Sequence, residues 1–253
     1  MSRLFGLSAA PQRVSAQFSP LERKSDRLGL GYFDATGAPT LHEQPLPEYV
    51  KSGVFISQAD QPYSMDGRIF AHHGALGDLS KLEPQLGSAA ALLRGHSASE
   101  RLFAFITQCI RAHNGHVAEG FSAAVHWIVE NLPFDSLNCL LATPNELWAL
   151  RYPDTHALYV LEREAGGLHG ERELHYVSGT TRVRAPELAK SRSVVFASEL
   201  LDDHPDWCAL SVGELLHVAP DLTVSSSMLL EQTSELAPHL ILPGRSAEPN
   251  TVN

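Results

Sequence analysis

Two adjacent helical segments, bracketed by short apolar strands, are the feature that most constrains the fold of this 253-residue chain. The first helix is predicted to begin at the capping box of Ser97 and Glu100 and to end at the Asn-Gly pair at 114–115. The second is predicted over about 118–131, where apolar residues form one stripe until Pro133 stops the helix. Both helices are therefore expected to bury one face against another layer.

Short apolar segments rich in β-forming residues precede and follow the two helices. Two of them, 29–34 and 40–43, are separated by a turn and are expected to pair as a hairpin. The order of strands, two helices and strands lacks regular βαβ alternation, so it predicts α+β layering with helices packed between or upon two sheets. The other predicted strands are 3–7, 54–57, 68–72, 137–142, 146–151, 157–161, 174–177 and 193–197.

The chain is long enough for one large domain, and no internal repeat divides it. Residues 1–240 are therefore predicted to form a single domain. Periodicity is lost after Val218, and the polar, proline-containing residues 241–253 are expected to form a disordered tail.

Composition excludes two classes of protein. No apolar run approaches the roughly 18 residues that a membrane-spanning helix needs, so no membrane protein is expected. The net charge is −10 and the basic residues are scattered, so nucleic acid is not an expected partner.

Cys109, Cys139 and Cys208 lie in apolar surroundings without Cys-x-x-Cys spacing. This favours buried thiols in a reducing compartment, by default the cytoplasm.

The common local motifs of hydrolases, nucleotide-binding proteins and zinc proteases do not occur in this sequence. His72 and His73 are adjacent on a predicted strand, so their side chains should point to opposite faces and are poorly placed to share a metal. His113 and His116 flank the end of the first helix, where a capping or surface role is expected. No metal site and no cofactor are therefore predicted.

The N-terminal serine has chemical interest on first principles. Removal of Met1, which the small side chain of Ser2 permits, would leave a hydroxyl and a free α-amine on one residue. An α-amine has an ordinary pKa of about 7.7–8.0, so it can act as the base that activates its own side chain. Many proteins begin Met-Ser without catalytic meaning, so the dipeptide alone does not predict catalysis.

A series of motifs along residues 1–218 gives Ser2 a context. In chain order they are MSRLFGLSA at 1–9, GLGYFD at 29–34, DGRIFAHHG at 66–74, GDL at 77–79, SERLF at 99–103, LWALRYPDTH at 147–156, VFASE at 195–199 and GELL at 213–216. Together they resemble the class II glutamine amidotransferases. The resemblance implies the N-terminal nucleophile hydrolase fold, a four-layer αββα sandwich, which agrees with the α+β layering predicted above.

Members of this family hydrolyse the side-chain amide of glutamine with an N-terminal cysteine and deliver ammonia to a synthase domain or the γ-glutamyl group to water. The resemblance implies an oxyanion hole containing an Asn side chain and charged groups that hold the α-amino and α-carboxyl groups. It makes Ser2 the candidate nucleophile and places His73 and Gly74 at the oxyanion hole. Arg3 and His72 are the candidate substrate-binding neighbours.

Four departures from the family pattern fall on the glutamine site. Ser2 replaces the cysteine, and a hydroxyl is far less ionised than a thiol near neutral pH. His73 replaces the oxyanion Asn, and loss of one such donor typically costs about 2.7–4 kcal/mol of transition-state stabilisation. The arginine-bearing strand end is reduced to 57–61, where Asp60 brings the wrong charge for a carboxylate ligand. Ala98 stands where the acid that would hold the ammonium is expected.

The departures spare the apolar positions of the core, so we expect a folded protein that has lost glutamine recognition. The first hypothesis is a pseudoenzyme that serves as a structural or regulatory partner of an active amidotransferase or synthetase subunit, in a homo- or hetero-oligomer. A second is an amide hydrolase or amidotransferase that uses Ser2, after Met1 removal, on glutamine or another amide. A third is a competent glutaminase in which Ser2 was engineered.

Overall fold

The computed structural model describes residues 3–20, 28–43, 46–58, 62–165, 173–177 and 181–230. Three of the sequence predictions fall outside these residues. They concern the nucleophile Ser2, the acidic residue Asp60, and the domain boundary at residue 240 with the tail 241–253.

Seventeen strands and three α-helices make up the described part of the chain. The helices are α1 (Leu79–Leu82), α2 (Ala98–Ala112) and α3 (Val117–Asn131). The strands before α1 are β1 (Leu4–Ser8), β2 (Val14–Pro20), β3 (Gly29–Phe33), β4 (Pro39–His42), β5 (Val50–Ser52), β6 (Val54–Gln58), β7 (Tyr63–Met65) and β8 (Arg68–His73). Those after α3 are β9 (Asn138–Ala142), β10 (Leu147–Leu150), β11 (Tyr159–Arg163), β12 (Leu174–Val177), β13 (Thr181–Ala185), β14 (Ser193–Ala197), β15 (Cys208–Ala209), β16 (Glu214–Val218) and β17 (Val224–Met228).

Two large antiparallel sheets form the centre of the molecule. One has seven strands in the order β15-β11-β14-β1-β6-β3-β4, and the other has six in the order β17-β16-β10-β9-β8-β7. Leu4, Ile56 and Phe196 of the first sheet share one core cluster with Ile69 and Leu140 of the second. The two sheets approach each other closely at Gly6, where a Cβ would lie 2.9 Å from the Leu140 side chain. The two sheets therefore face each other across an apolar interior.

Helices α2 and α3 cover the outer face of the six-stranded sheet. Phe103 and Ile106 of α2, and Phe121 and Ile128 of α3, pack with Phe70 and Leu141 of the sheet in a second core cluster. Helix α2 begins as predicted, because the Ser97 hydroxyl accepts a hydrogen bond from the Glu100 amide at 3.1 Å. His113 is the C-cap, and its Nδ1 lies 2.8 Å from the Cys109 carbonyl. The capping role predicted for His113 is confirmed.

A third, smaller sheet covers the opposite face of the seven-stranded sheet. Its order is β12-β13-β2-β5, and a short 3₁₀ helix over Pro186–Ala189 adjoins it. Phe18 and Val183 of this sheet pack on Phe55 and Val195 of the large one. The predicted α+β class and paired central sheets are confirmed. Among the described residues, however, strands fill most of the outer layer where the resemblance implies helices.

Several local features differ from the sequence analysis. The strands that were not identified from the sequence are β2, β5, β7, β13, β15, β16 and β17. The hairpin of β3 and β4 is confirmed by pairing from Leu30↔His42 to Phe33↔Pro39. The prediction that all three thiols are buried is wrong for Cys208, which is exposed on the two-residue edge strand β15.

Across the described helices, none combines the length and hydropathy that crossing a bilayer requires.

Candidate active site

The start of β1 and the ends of β6 and β8 meet at one end of the two facing sheets. Leu4, near the N-terminus, pairs directly with Gln58, the last residue of β6. The buried Gln58 side chain then crosses to the other sheet: its Nε2 donates to the His72 carbonyl at 2.5 Å, and its Oε1 accepts from the His72 amide at 3.2 Å. This double hydrogen bond fixes β8 relative to β1.

His72 is a buried structural residue of this junction. Its Nε2 donates to the Ser136 carbonyl at 3.0 Å, and its Nδ1 lies 2.9 Å from the Ser99 hydroxyl on α2. Because the carbonyl can only accept, the ring proton is on Nε2 and the Ser99 hydroxyl donates to Nδ1. Burial lowers the pKa of His72 to about 4, so the ring is neutral. His72 links β8 to the first turn of α2 and leaves no ring nitrogen for a substrate.

His73 faces the opposite side of β8, as predicted, and its ring stacks on His156. The ring centroids are 4.4 Å apart and the planes are inclined by 19°. Burial, followed by the neighbouring His156 and His72, lowers the pKa of His73 to about 4. Its Nδ1 is buried and has no hydrogen-bond partner among the described residues. A neutral, stacked imidazole therefore stands at position 73, where the resemblance implies an oxyanion amide.

Gly74 is required by the backbone that follows His73. A Cβ at this position would lie 1.9 Å from the Ser136 carbonyl oxygen, so no larger residue fits. The next amide, of Ala75, donates to Asp135 Oδ1 at 2.5 Å, and Asp135 in turn donates its own amide to the Ala75 carbonyl at 3.1 Å. The loop after β8 is thus held against the segment before β9.

His156 is positioned by a loop that Arg151 and Asn138 organise. Arg151 Nε donates to the His156 carbonyl at 3.2 Å, and its guanidinium also forms an ion pair with Asp154. The buried Asn138 Nδ2 donates to the same carbonyl at 3.0 Å, while its Oδ1 accepts from the Tyr152 amide at 3.0 Å. The two side chains fix the backbone from which the His156 ring reaches His73.

The beginning of β1 is anchored by the neighbouring strand β14 and the residues after it. Ser198 accepts from the Leu4 amide at 3.2 Å through its hydroxyl and donates its own amide to the Leu4 carbonyl at 3.1 Å. Arg3 forms an ion pair with Glu199 at 3.1 Å, and the Tyr176 hydroxyl donates to the same carboxylate at 2.6 Å. Arg3 therefore holds the strand start in place, and its charge is matched by Glu199.

Ala98 is the first residue of α2, next to the Ser99 that bonds His72. The preceding Ser97 hydroxyl lies 2.8 Å from the Tyr63 hydroxyl, which ties β7 to the same helix turn. A methyl group thus stands where the resemblance places the acid for the substrate ammonium. No charged side chain replaces it within 97–99.

Ser57 and Gln58 lie at the strand end where the resemblance implies an arginine. The Ser57 side chain is buried and its hydroxyl donates to the Gly29 carbonyl at 3.0 Å. Gln58 is committed to His72 as described above. These two residues close the strand end with hydrogen bonds inside the protein and provide no cation for a carboxylate.

The structure brings most of the predicted site residues to one end of the sandwich: Arg3, His72, His73, Gly74 and Ala98. It adds residues that the sequence analysis did not single out, namely Gln58, Ser99, Asp135, Ser136, Asn138 and His156. His156 belongs to a quoted motif, but nothing in the motif places its ring on His73. In the described residues, no group of three or more His, Cys, Asp or Glu side chains is arranged to hold a metal ion.

Comparisons with known proteins agree with this architecture. The family profile described as "Glutamine amidotransferases class-II" matches residues 59–237. A predicted glutamine amidotransferase from Pseudomonas aeruginosa superposes with a TM-score of 0.64 at 17% identity, covering 87% of this chain and 98% of that one. A glutamine aminotransferase class-II domain protein from Silicibacter pomeroyi gives a TM-score of 0.61 at 18% identity, covering 89% and 98%.

A larger enzyme shares the fold over part of its length. Glutamine phosphoribosylpyrophosphate amidotransferase from Bacillus subtilis superposes with a TM-score of 0.56 at 15% identity, covering 90% of this chain and 49% of that one. A search of curated proteins found no match. The family profile covers well over half of the sequence. The chain belongs to the class II glutamine amidotransferases.

Proposed function

We propose that this chain has lost glutaminase activity and acts as a structural or regulatory partner of an active amidotransferase or synthetase subunit. The observation that carries the proposal is the His73–His156 stack, with ring centroids 4.4 Å apart, at the position of the oxyanion amide. The stack packs the His73 ring against the His156 ring, so a bulky heteroaromatic ring stands where the resemblance implies an Asn amide.

Loss of the oxyanion donor affects the reaction directly. A donor aimed at the developing negative charge is typically worth about 2.7–4 kcal/mol, which corresponds to a rate factor of about 10² to 10³. A serine nucleophile adds a further loss, since a hydroxyl is far less ionised than a thiol at neutral pH. Hydrolysis of glutamine should therefore be slow even if glutamine were bound.

Glutamine binding has also lost its charged contacts. Ala98 offers a methyl group to the substrate ammonium, and Ser57 is buried and bonded to Gly29. The nearby cations are already matched by acids of this chain, Arg3 by Glu199 and Arg151 by Asp154. An α-amino acid would thus have to give up water around two charged groups without compensating partners.

The scaffold around these positions is intact, which supports a role that depends on shape. Gln58, His72 and Asn138 are buried and hydrogen-bonded, and Gly74 keeps the backbone geometry of the loop. A buried polar junction whose members are hydrogen-bonded keeps the fold rigid and specific, which a role as a partner requires. We place this partner role in the cytoplasm, in a homo- or hetero-oligomer.

Glutamate release tests the loss of activity. Purified protein and its Ser2→Ala variant should release glutamate from glutamine at the same background rate. A rate in the parent chain that Ser2→Ala abolishes would contradict the proposal. For the partner role, native mass spectrometry of the tagged chain purified from its own host should show a stoichiometric complex with an amidotransferase or synthetase chain. Recovery of the free chain alone would contradict that role.

The anchoring of β1 favours a second candidate, an amide hydrolase that uses Ser2. Leu4 and Arg3 are held by Ser198 and Glu199, so the start of β1 is anchored at this end of the sandwich. Intact-mass analysis decides whether this candidate is viable, because retained Met1 would leave Ser2 without its α-amine base. If Ser2 was engineered in place of cysteine, a Ser2→Cys variant should be labelled covalently by a glutamine-mimicking electrophile.

A further inference from the structure

Ser99 and His72 form a hydrogen-bonded serine–histidine pair that is separate from the chemistry considered for Ser2. The Ser99 hydroxyl on α2 donates to His72 Nδ1 on β8 at 2.9 Å, although the two residues are 27 positions apart in the sequence. This distance lies within the range of about 2.6–3.2 Å that joins a nucleophile to its base. The Ser99 hydroxyl is therefore a candidate nucleophile whose proton His72 can accept.

The contacts that make His72 a structural residue also orient it as a base. Its Nε2 donates to the Ser136 carbonyl at 3.0 Å, which fixes the tautomer and leaves the lone pair of Nδ1 directed at Ser99. Gln58 holds the backbone amide and carbonyl of His72. A serine, a histidine and a third group that orients the histidine are the parts that recur in serine hydrolases of unrelated folds.

The electrostatic surroundings of His72 indicate what kind of electrophile the pair can attack. Burial lowers the pKa of His72 to about 4, against smaller opposing effects of the Ser136 carbonyl and the Asp135 charge. The ring is therefore neutral at physiological pH, and the Asp135 charge stabilises the imidazolium that forms when Ser99 loses its proton. A base with so low a pKa is weak, so the matching electrophile has a good leaving group.

Ser99 is accessible from solvent, whereas His72 is shielded. Ser99 is partly exposed as the second residue of α2, and the four residues before α2, 94–97, are exposed apart from none of them being charged acids. His72 is only 1% exposed. The adjacent Ala98 presents a methyl group, so neither charge nor bulk at that position obstructs an uncharged reagent. An incoming molecule can thus reach the hydroxyl while the protein excludes water from the imidazole.

We propose that Ser99, with His72 as its general base, accepts an acyl group from a small uncharged ester that has a good leaving group. Ser99 Oγ forms a bond to the acyl carbon while its proton passes to His72 Nδ1. The bond from that carbon to the leaving oxygen then breaks, and this oxygen takes the proton from His72. The products are acyl-Ser99 and a free alcohol, and later attack by water releases the acid and restores Ser99.

Reaction of the full chain with p-nitrophenyl acetate tests the proposal. We expect an acetyl group on Ser99, located by peptide mass spectrometry. Ser99→Ala should abolish labelling of that peptide. Ser227→Ala removes an exposed hydroxyl from β17 and should leave acetylation of Ser99 unchanged. An acetyl group on Ser2 with none on Ser99 would overturn the proposal and would instead favour the amide hydrolase that uses Ser2.

The pH dependence of Ser99 acetylation tests the role of His72 without a substitution. Because the ring is neutral well below pH 6, the rate should be constant from pH 6 to pH 8. A serine without a base reacts through its alkoxide, and its rate would rise about tenfold per pH unit.

His72→Gln gives a second measurement, and its thermal unfolding shows whether the variant is folded. In the folded variant, acetylation of Ser99 at pH 7 should be slower by about 100-fold or more. A tenfold rise per pH unit in the parent chain, or an unchanged rate in folded His72→Gln, would each overturn the proposal. If His72→Gln does not fold, the pH profile of the parent chain decides.

Discussion

The imidazole rings of His73 and His156 lie face to face, 4.4 Å between centroids, although the two residues come from different strands and loops. The pair brings the end of β8 against the loop after β10, at the position where the resemblance implies the oxyanion amide. Both its electrostatics and its packing have consequences that can be measured.

The stability of the fold should decrease at mildly acidic pH. The pKa values of His72 and His73 are lowered from 6.5 to about 4, chiefly by burial. In the unfolded chain these rings take up protons below about pH 6.5, so folded stability is full above that pH and decreases as the pH falls toward 4. We expect a loss on the order of 1–2 kcal/mol per histidine between pH 7 and pH 5, measured by urea unfolding at both values.

The same experiment on variants assigns the effect to these rings. His73→Asn should lower stability at pH 7 through loss of the stack, and it should reduce the difference between pH 7 and pH 5. His96 is exposed, so His96→Asn should leave that difference unchanged. An unaltered pH dependence in His73→Asn would show that His73 is not buried as described.

Gln58 should be a major contributor to stability. Its side chain makes two hydrogen bonds to the His72 backbone across the two sheets, in a buried position. Gln58→Ala leaves a buried carbonyl and amide unpaired, so we expect a loss of about 2–4 kcal/mol in the free energy of unfolding. Gln85→Ala, at an exposed position, should change it by less than about 0.5 kcal/mol. Equal effects of the two variants would contradict the bridging role.

Gly74 and Gly67 provide a matched pair of glycine substitutions. Gly74→Ala places a Cβ 1.9 Å from the Ser136 carbonyl oxygen, so the loop after β8 must move and we expect a loss of at least about 3 kcal/mol. Gly67 has a positive φ of 72° but nothing within 4 Å of its Cβ position, so Gly67→Ala should cost only about 1–2 kcal/mol. Thermal unfolding of both variants checks this ranking. A smaller loss of stability in Gly74→Ala than in Gly67→Ala would contradict it.

The helices were predictable because their signals are local. The cap at Ser97 and the apolar stripe ending at Pro133 lie within the helices or beside them, and α2 and α3 are confirmed within a few residues. Strand β2 carries a usable alternation, since Val14, Ala16 and Phe18 are buried and the residues between them are not. Strand β17 has no such pattern. Its residues from Ser225 to Met228 are all exposed, and its pairing with β16 alone defines it.

Residues of the candidate site could be predicted only where they belong to a recognisable sequence motif. The motifs singled out His72, His73 and Gly74, and the structure places them at the end of β8 and directly after it. The contacts of Gln58 and His156 depend on tertiary packing, because they reach partners 14 and 83 positions away in the sequence. Residue type could not show that His72 is structural, since its role follows from its two buried hydrogen bonds.

Glutamine binding tests the central claim most directly, because the account places the loss in recognition as well as in chemistry. Thermal unfolding of the full chain should be followed with increasing glutamine and, separately, glutamate. We expect no saturable rise in Tm with either ligand. A ligand present at 100 times its Kd stabilises a protein by about 2.7 kcal/mol, so a bound amino acid would raise Tm by several degrees. A saturable increase with glutamine that Ser2→Ala retains would show that the recognition site is intact and would contradict the account.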